Sequence, residues 1–571
     1  MDGITARAGI TRARFFSLLS SPLVLLAAAI LLCAVLLTRS LLMPLGPMYW
    51  DLVLYLDAAN RIADGQVPVI DFFTPVGPLG YWLFAGLAEL FPRGQPLLIA
   101  QWSTLVVTAP AMALILRDVD RRSRPLALGL LLPYLVFQLL PINVEHFSYF
   151  PGTDGFGIYN RQISIVLYVL VAGLVFLRDR RLLAALLIWT LLAALAIKIT
   201  GFVAGGFVAA FALAAGRLGW RMALAAGLSA LALLGALELG TGIVSAYLDS
   251  IAALVAINAG AILPRFLQAA SLHLDIVGAG AALVIALAWF ERRELAHRVR
   301  AVHRERSPAA ASHLLDHPLF WLIVTMAAGL FFETQNTGGQ AFIFVWPVLL
   351  QLLATALKDG GRRGLALGAL IAAMAIPPAE TVLQRMGRTL LAQTTYVALP
   401  HTHLGMLGRV SQNREVMLNA ETMMAIYPRH PKTFEDIAAA NILPNSSLYS
   451  ALDFQAGWLL AIDAGISAIL AHEQQTGRRF GTILSLNFAN PFPYLMGRSG
   501  VQHVAIGADP FRAVPAMDAQ TQGEVEAADL ILYPRCPVTV ANARLRDIYT
   551  PAMQGRREIA LGPCWTGYVK P

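Results

Sequence analysis

Charge and cysteine are what this chain of 571 residues lacks. Charged residues make up 14% and hydrophobic residues 57%, with a mean hydropathy of +0.61. A soluble globular chain is roughly 25% charged. This one is too poor in charge to solvate the several water-soluble domains its length would allow. Lysine is almost missing: of 43 basic residues only Lys198, Lys358, Lys432 and Lys570 are lysines. Three cysteines, Cys33, Cys536 and Cys564, exclude a disulfide-rich scaffold and a cysteine-based metal cluster. There is no P-loop, dinucleotide Gly fingerprint, HExxH or CxxC pair, and no recognisable Ser-His-acid elbow. ATP-driven transport and Rossmann cofactors are therefore unsupported. No cofactor is required by anything in the chain; a divalent metal is the one left open, and no residue is assigned to it.

What is present is apolar length. A bilayer core takes about 20 apolar residues per helix, and runs of about 10–14 are more often interfacial. Segments 22–43, 96–116, 126–141, 162–177, 222–240, 276–290, 318–332, 341–357 and 364–378 read as spans. The run 182–216 is too long for one crossing and is broken at Lys198-Ile199-Thr200-Gly201, so it reads as two. The fold class is a polytopic α-helical membrane protein of about eleven transmembrane helices. Residues 78–91 are short and read as an interfacial helix.

Sidedness tests that reading, because cytoplasmic loops carry the excess of Lys and Arg. With residues 1–21 as a cytoplasmic tail, the inside segments hold 21 Lys and Arg against nine acids, a net of +12. The whole chain nets +8, so the remainder nets −4. The positive charge is a topology signal rather than the mark of a nucleic-acid partner. Had 78–91 been a span, the cluster Arg117, Arg121, Arg122 and Arg124 would fall outside. The membrane domain is 22–379, with a first outer loop over 44–95. The N-terminal apolar run has no small-x-small cleavage site and reads as a retained signal anchor.

Residues 380–571 differ in texture. Amphipathic stretches at 435–442 and 461–474 alternate with β-like runs at 446–451, 482–488, 501–506 and 529–533. They read as an α/β domain on the outer, periplasmic side. Cys536 and Cys564 both fall in it, and an oxidising compartment favours a disulfide between them over two buried thiols.

The outer loops concentrate acids and aromatics. In loop 44–77, Asp51 opens a helix that Gly65 stops. Asp51 is either an ordinary N-cap or a carboxylate held at a partly apolar boundary, where a raised pKa suits a general base. Asp154, in the second outer loop, is either its partner or an Asp-Gly turn. Arg161 at a span end either anchors the interface or meets a lipid phosphate, which its guanidinium fork suits. Lys198, inside an apolar hairpin, either snorkels or faces a polar cavity; with Arg265 it is a further phosphate candidate. Glu333 either contacts sugar hydroxyls or is a solvated loop acid.

The residues Tyr49-Trp50-Asp51, Ala58-Ala59-Asn60-Arg61-Ile62, Gly65, Pro68 and Gly77-Pro78-Leu79-Gly80-Tyr81-Trp82 resemble the GT-C class of integral-membrane glycosyltransferases, in its protein O-mannosyltransferase and aminoarabinose-transferase branch. The resemblance covers about residues 20–380 and is most specific over 48–92. It implies an inverting glycosyltransferase that takes a sugar from a polyprenyl-phosphate donor, with Asp51 as general base and Asp154 as a second acid. Arg61, Tyr159, Arg161, Lys198, Arg265 and Glu333 are the expected substrate-binding set. The acceptor would be an envelope glycan, lipid or protein on the outer face of the inner membrane. The chain departs from the mannosyltransferases in lacking a second acid directly after Asp51. A lipid-linked sugar transporter or a non-enzymatic envelope assembly protein is the alternative.

Overall fold

The computed structural model describes residues 21–144, 148–258, 262–334, 342–442 and 450–571. The expected cytoplasmic tail, residues 1–20, and most of the expected strand 446–451 lie outside the described residues. Each apolar segment named above folds as helix. Among the described residues six helices are long and apolar enough to cross a membrane, or up to eight if each of two bent pairs is one span. The bends, of 86° between Leu263–Leu272 and Leu274–Phe290 and of 69° between Pro308–Leu315 and Pro318–Thr334, break what would otherwise be continuous apolar rods. Pro22–Leu37, Arg124–Leu139 and Ile199–Ala214 are apolar but shorter, and Trp346–Asp359 has only 14 residues. A count of eleven crossings therefore exceeds what helix length alone supports.

Local chemistry explains the breaks. Lys198 is extended (φ −162°, ψ 126°) between Arg180–Ile197 and Ile199–Ala214. The two helices fold back on each other, with Gly205 against Leu191. The segment Leu79–Leu90 is a 12-residue helix, and its Tyr81 and Phe84 pack on Tyr55 at ring-centroid distances of 5.2 and 5.5 Å. It lies along the Asp51–Ala63 helix, as an interfacial element would.

The expected boundary at 379/380 falls inside one helix, Gly361–Gln393, which runs through Pro377 and Pro378. Prolines usually break a helix interior. Here the continuation is held from outside: Val382, Arg385 and Thr389 are buried, and Arg385 binds the 142–154 loop.

The tail carries a five-stranded mixed sheet in the order β5-β4-β6-β8-β7. β4 (Thr482–Ser485) is parallel to β5 (Ser499–Gly500) and to β6 (Leu530–Pro534). β8 (Trp565–Val569) is antiparallel to β6 and to β7 (Arg557–Ala560). The expected run 501–506 forms only an isolated bridge, Ala505 with Phe73. Leu452–Thr476 is apolar enough to count among the six, yet it lies against this sheet. Trp565 Nε1 donates to Ala461 O at 2.7 Å, and Asp463 accepts the N–H groups of Thr402 and His403. Its hydrophobicity builds the core of the tail.

A smaller sheet joins the two parts. β1 (Met43–Pro44) runs parallel to β3 (Val410–Gln412), which pairs antiparallel with β2 (Val397–Ala398). Trp50 adds a buried anchor, with ring centroids 6.3, 6.0 and 5.2 Å from Phe454, Trp458 and Phe488. Cys536 and Cys564 are disulfide-bonded, which leaves Cys33, buried, as the free thiol. A thiol titration of denatured, unreduced protein should find one reactive cysteine per chain and three after reduction. Three before reduction would remove the bridge.

Candidate active site

The first two loops that the sequence places outside make the floor of the site by coming into backbone contact. Leu45 bridges Thr153 in parallel. The Thr153 N–H and Oγ1 both donate to Pro44 O, at 2.9 and 2.7 Å. A Cβ on Gly46 or Gly155 would run into the backbone of the facing loop, so this approach requires glycine.

Asp154 fixes the second loop. It is fully buried. Its Oδ1 accepts from Arg385 Nη2 at 2.9 Å and its Oδ2 from Asn143 N–H at 2.6 Å. Arg385 Nη1 also donates to Asn143 O. Arg161, 1% exposed, donates to the carbonyls of Phe156 (2.6 Å) and Asp154 (3.0 Å) and to Gln101 Oε1 (2.8 Å). Burial pushes the Asp154 carboxyl up, against the pull of Arg385. Both of its oxygens are engaged by the protein itself.

The loop so fastened presents one donor outward. Gly157, at φ 63°, opens the helix Ile158–Phe176, and its N–H donates to Asp51 Oδ2 at 3.2 Å. Asp51 lies one residue inside the Asp51–Ala63 helix, whose N-cap is Trp50, with no side-chain capping bond. The carboxylate therefore binds a residue 106 positions away rather than capping its own helix. It is 6% exposed. Burial pushes its pKa up to about 7, more strongly than the Gly157 N–H and the Arg161 guanidinium hold it down. A carboxyl poised there can exchange a proton near neutrality.

No protein-family model and no curated protein matches this chain. Among solved structures, it is similar to ArnT from Cupriavidus metallidurans in the apo state (14% identity, TM-score 0.41) and bound to undecaprenyl phosphate (15%, 0.42). Each match covers 95% of this chain and 97% of the other. At that degree of likeness the side chains of this chain have to carry any reading of function.

A lysine reaches the same helix end as Asp51. Lys198 Nζ donates to Asn160 Oδ1 at 2.9 Å and lies 4.7 Å from the centroid of the Tyr159 ring. Glu333 and Arg512 are within electrostatic reach of it. Tyr159 feels Asp51, Arg512 and Asp509. Glu333 is 5% exposed. Neither of its oxygens has a hydrogen-bond partner among the described residues, and His273 Nε2 stands 3.7 Å away. Among the described residues no group of three or more His, Cys, Asp and Glu stands close enough to hold a metal ion.

Asp51, Tyr159, Arg161 and Lys198 thus gather at the start of one helix, with Glu333 near Lys198. Arg61 does not join them. Buried at 1% exposure, it bonds Asp57 Oδ1 (2.9 Å), Gln66 Oε1 (3.1 Å) and Val501 O (2.6 Å), fastening the first loop to the tail. Arg265, half-exposed on Ile262–Leu272, has no bonded partner among the described residues. Sequence reasoning missed Asn160, Arg385, Asp509 and Arg512. Asn160 could have been found from its place between Tyr159 and Arg161, whereas Arg385 and Arg512 act across hundreds of residues.

Truncating one partner of a buried ion pair costs about 3–5 kcal/mol. Arg385→Ala should therefore lower the denaturation midpoint strongly, while Arg265→Ala should barely move it. A raised carboxyl pKa weakens the fold as pH climbs from the unfolded value of 3.8 through about 7. Asp51→Asn should accordingly raise the melting temperature more at pH 8 than at pH 5. Equal shifts at both pH values would contradict the buried, raised carboxyl.

Proposed function

We propose that the protein is an integral-membrane glycosyltransferase that moves a sugar from a polyprenyl-phosphate carrier to an acceptor hydroxyl on the outer face of the inner membrane. The observation that carries this reading is the Asp51 carboxyl, buried, held by the Gly157 N–H and brought to about 7, at the helix end where Asn160 holds Lys198.

Each residue has a step. The acceptor oxygen attacks the anomeric carbon while Asp51 takes its proton. The bond from the anomeric carbon to the phosphate oxygen breaks, and polyprenyl phosphate departs with the electron pair. In-line displacement inverts the anomeric centre. Lys198, oriented by Asn160 and Tyr159, neutralises the charge that develops on the departing phosphate, and Arg512 approaches it from the tail. Preorganised charge of this kind is commonly the largest contribution to such catalysis. Arg161 and Asp154 are positioning residues: they hold the loop that supplies Gly157. The class resembled by the 48–92 segment works on such donors, and the solved ArnT structure bound to undecaprenyl phosphate is compatible with a carrier of that kind here.

General base catalysis contributes about 10²–10⁴-fold. Asp51→Asn, expressed and folded as the wild type, should lose at least about 100-fold in transfer. Transfer is read as a mass change of a lipid or glycan fraction supplied with a panel of polyprenyl-phosphate sugars. In the wild type kcat/KM should rise with pH toward about 7, because the base must be ionised. Unimpaired turnover by Asp51→Asn removes the residue from the mechanism.

A further inference from the structure

Beside the candidate active site lies a second cavity, of about 360 Å³. Its walls come from the first outer loop at Val69–Phe73, the helix Ile243–Ile257, the tail over His503–Thr521, and Tyr549. Polar groups face it without a cation among them. Asp249, Asp518, His503 and Gln520 line it together with Phe72 and Phe73, and among the described residues no lysine or arginine does. A groove that must take a phosphate would carry at least one.

The two walls are strained where they meet. Of the non-glycine residues with positive φ, Val69 (68°) and His503 (54°) both line this cavity. A β-branched residue there is a genuine outlier, and such strain persists where the surroundings over-determine it, often at ligand sites. Here the surroundings are visible. His503 N–H donates to Asp71 O at 2.6 Å, and Val69 N–H to Phe72 O at 3.0 Å. The His503 ring nitrogen pairs with Gln520 at 2.8 Å inside the groove.

Its position relates it to the chemistry. The strap from Asp509 to Asp518 separates the two sites. Asp509 and Arg512 act on Tyr159, while Val514, Pro515 and Asp518 form the groove wall. Asn258, at the end of the groove helix, pins the strap by donating to Arg512 O at 3.0 Å.

We propose that this groove binds the acceptor, and that the acceptor is a glycan without phosphate or carboxylate groups at the bound segment. Carboxylates, an amide, an imidazole and hydroxyls accept from and donate to sugar hydroxyls, and half-buried Phe73 adds apolar surface for the sugar carbons. This assignment rests on the glycosyltransferase reading for its meaning, but binding can be measured without turnover.

The test uses the full-length protein in detergent, with saturation-transfer NMR on maltotriose, cellotriose and N-acetylchitotriose. Glucose 6-phosphate and trilysine serve as anionic and cationic counterparts. At least one neutral trisaccharide should give a signal. Ala516→Trp, at an exposed groove residue, should cut that signal at least fivefold with the melting point kept, and Asp249→Asn should weaken it. Asp51→Asn should leave it intact. No neutral-sugar signal, equal binding of glucose 6-phosphate, a signal from trilysine alone, or full binding by Ala516→Trp overturns the groove assignment. Carrier release from donor lipids is scored separately: its persistence in Asp51→Asn with sugar binding intact defeats the Asp51 mechanism and supports the groove as a glycan site.

Discussion

The buried pair of Asp154 and Arg385 is the interaction on which the candidate active site depends. Arg385 comes from the far end of the helix Gly361–Gln393, and with Asn143 it takes both oxygens of Asp154. Arg161 then collects the carbonyls of Asp154 and Phe156. Two guanidinium groups thereby hold a loop that has little regular structure of its own. A buried pair of charges gives weak net stability, because desolvation offsets much of the attraction. What it gives here is placement: the loop can present the Gly157 N–H in only one direction, toward Asp51.

Asp51 is held from its other side by the tail. Tyr49 donates to Leu407 O at 3.2 Å, and Trp50 sits among Phe454, Trp458 and Phe488. One helical turn beyond Asp57, Arg61 bonds Val501 O, and Asn60 Nδ2 donates to Arg498 O at 2.9 Å. Consecutive side chains of one short segment thus face two bodies. Aromatic burial against the tail fixes the segment, and the carboxylate between those anchors is left to face the membrane domain. The tail is accordingly part of the site's framework, which explains why it also supplies Arg512.

The readable part of this arrangement was local. Asp51 stood out because aromatic residues precede it and an amphipathic helix ending at glycine follows. Lys198 stood out because an ammonium is costly in an apolar run, and the interfacial helix because it is too short to span. The rest depended on pairing across the chain. Arg61 looked like a ligand-binding cation, but Asp57 and Gln66 hold it locally and its third partner lies 440 residues away. Arg385 follows two prolines that read as a helix end, and only the loop it binds explains why the helix continues. β7 is mostly exposed and lacks the alternation that marks a half-buried strand, so the hairpin with β8 left little trace. The cavity between Val69–Phe73 and His503–Thr521 left none, since its walls meet only after the tail has docked.

The spacing along the helix Ile158–Phe176 resolves a conflict built into the proposed chemistry. A base that works near neutrality must keep a raised pKa, and a cation pressed against it would lower that pKa. A departing phosphate requires such a cation close by. Gly157 holds Asp51 by a backbone N–H, and Asn160, three residues on, holds Lys198 by its side chain. The two holding groups stand three residues apart at one helix end, so base and lysine are held there by different residues. Arg161 lies between them in sequence, but its bonds to the carbonyls of Asp154 and Phe156 direct its charge into the loop. Desolvation can then outweigh its pull on Asp51, and a basic carboxylate and a phosphate-stabilising cation can share one helix terminus.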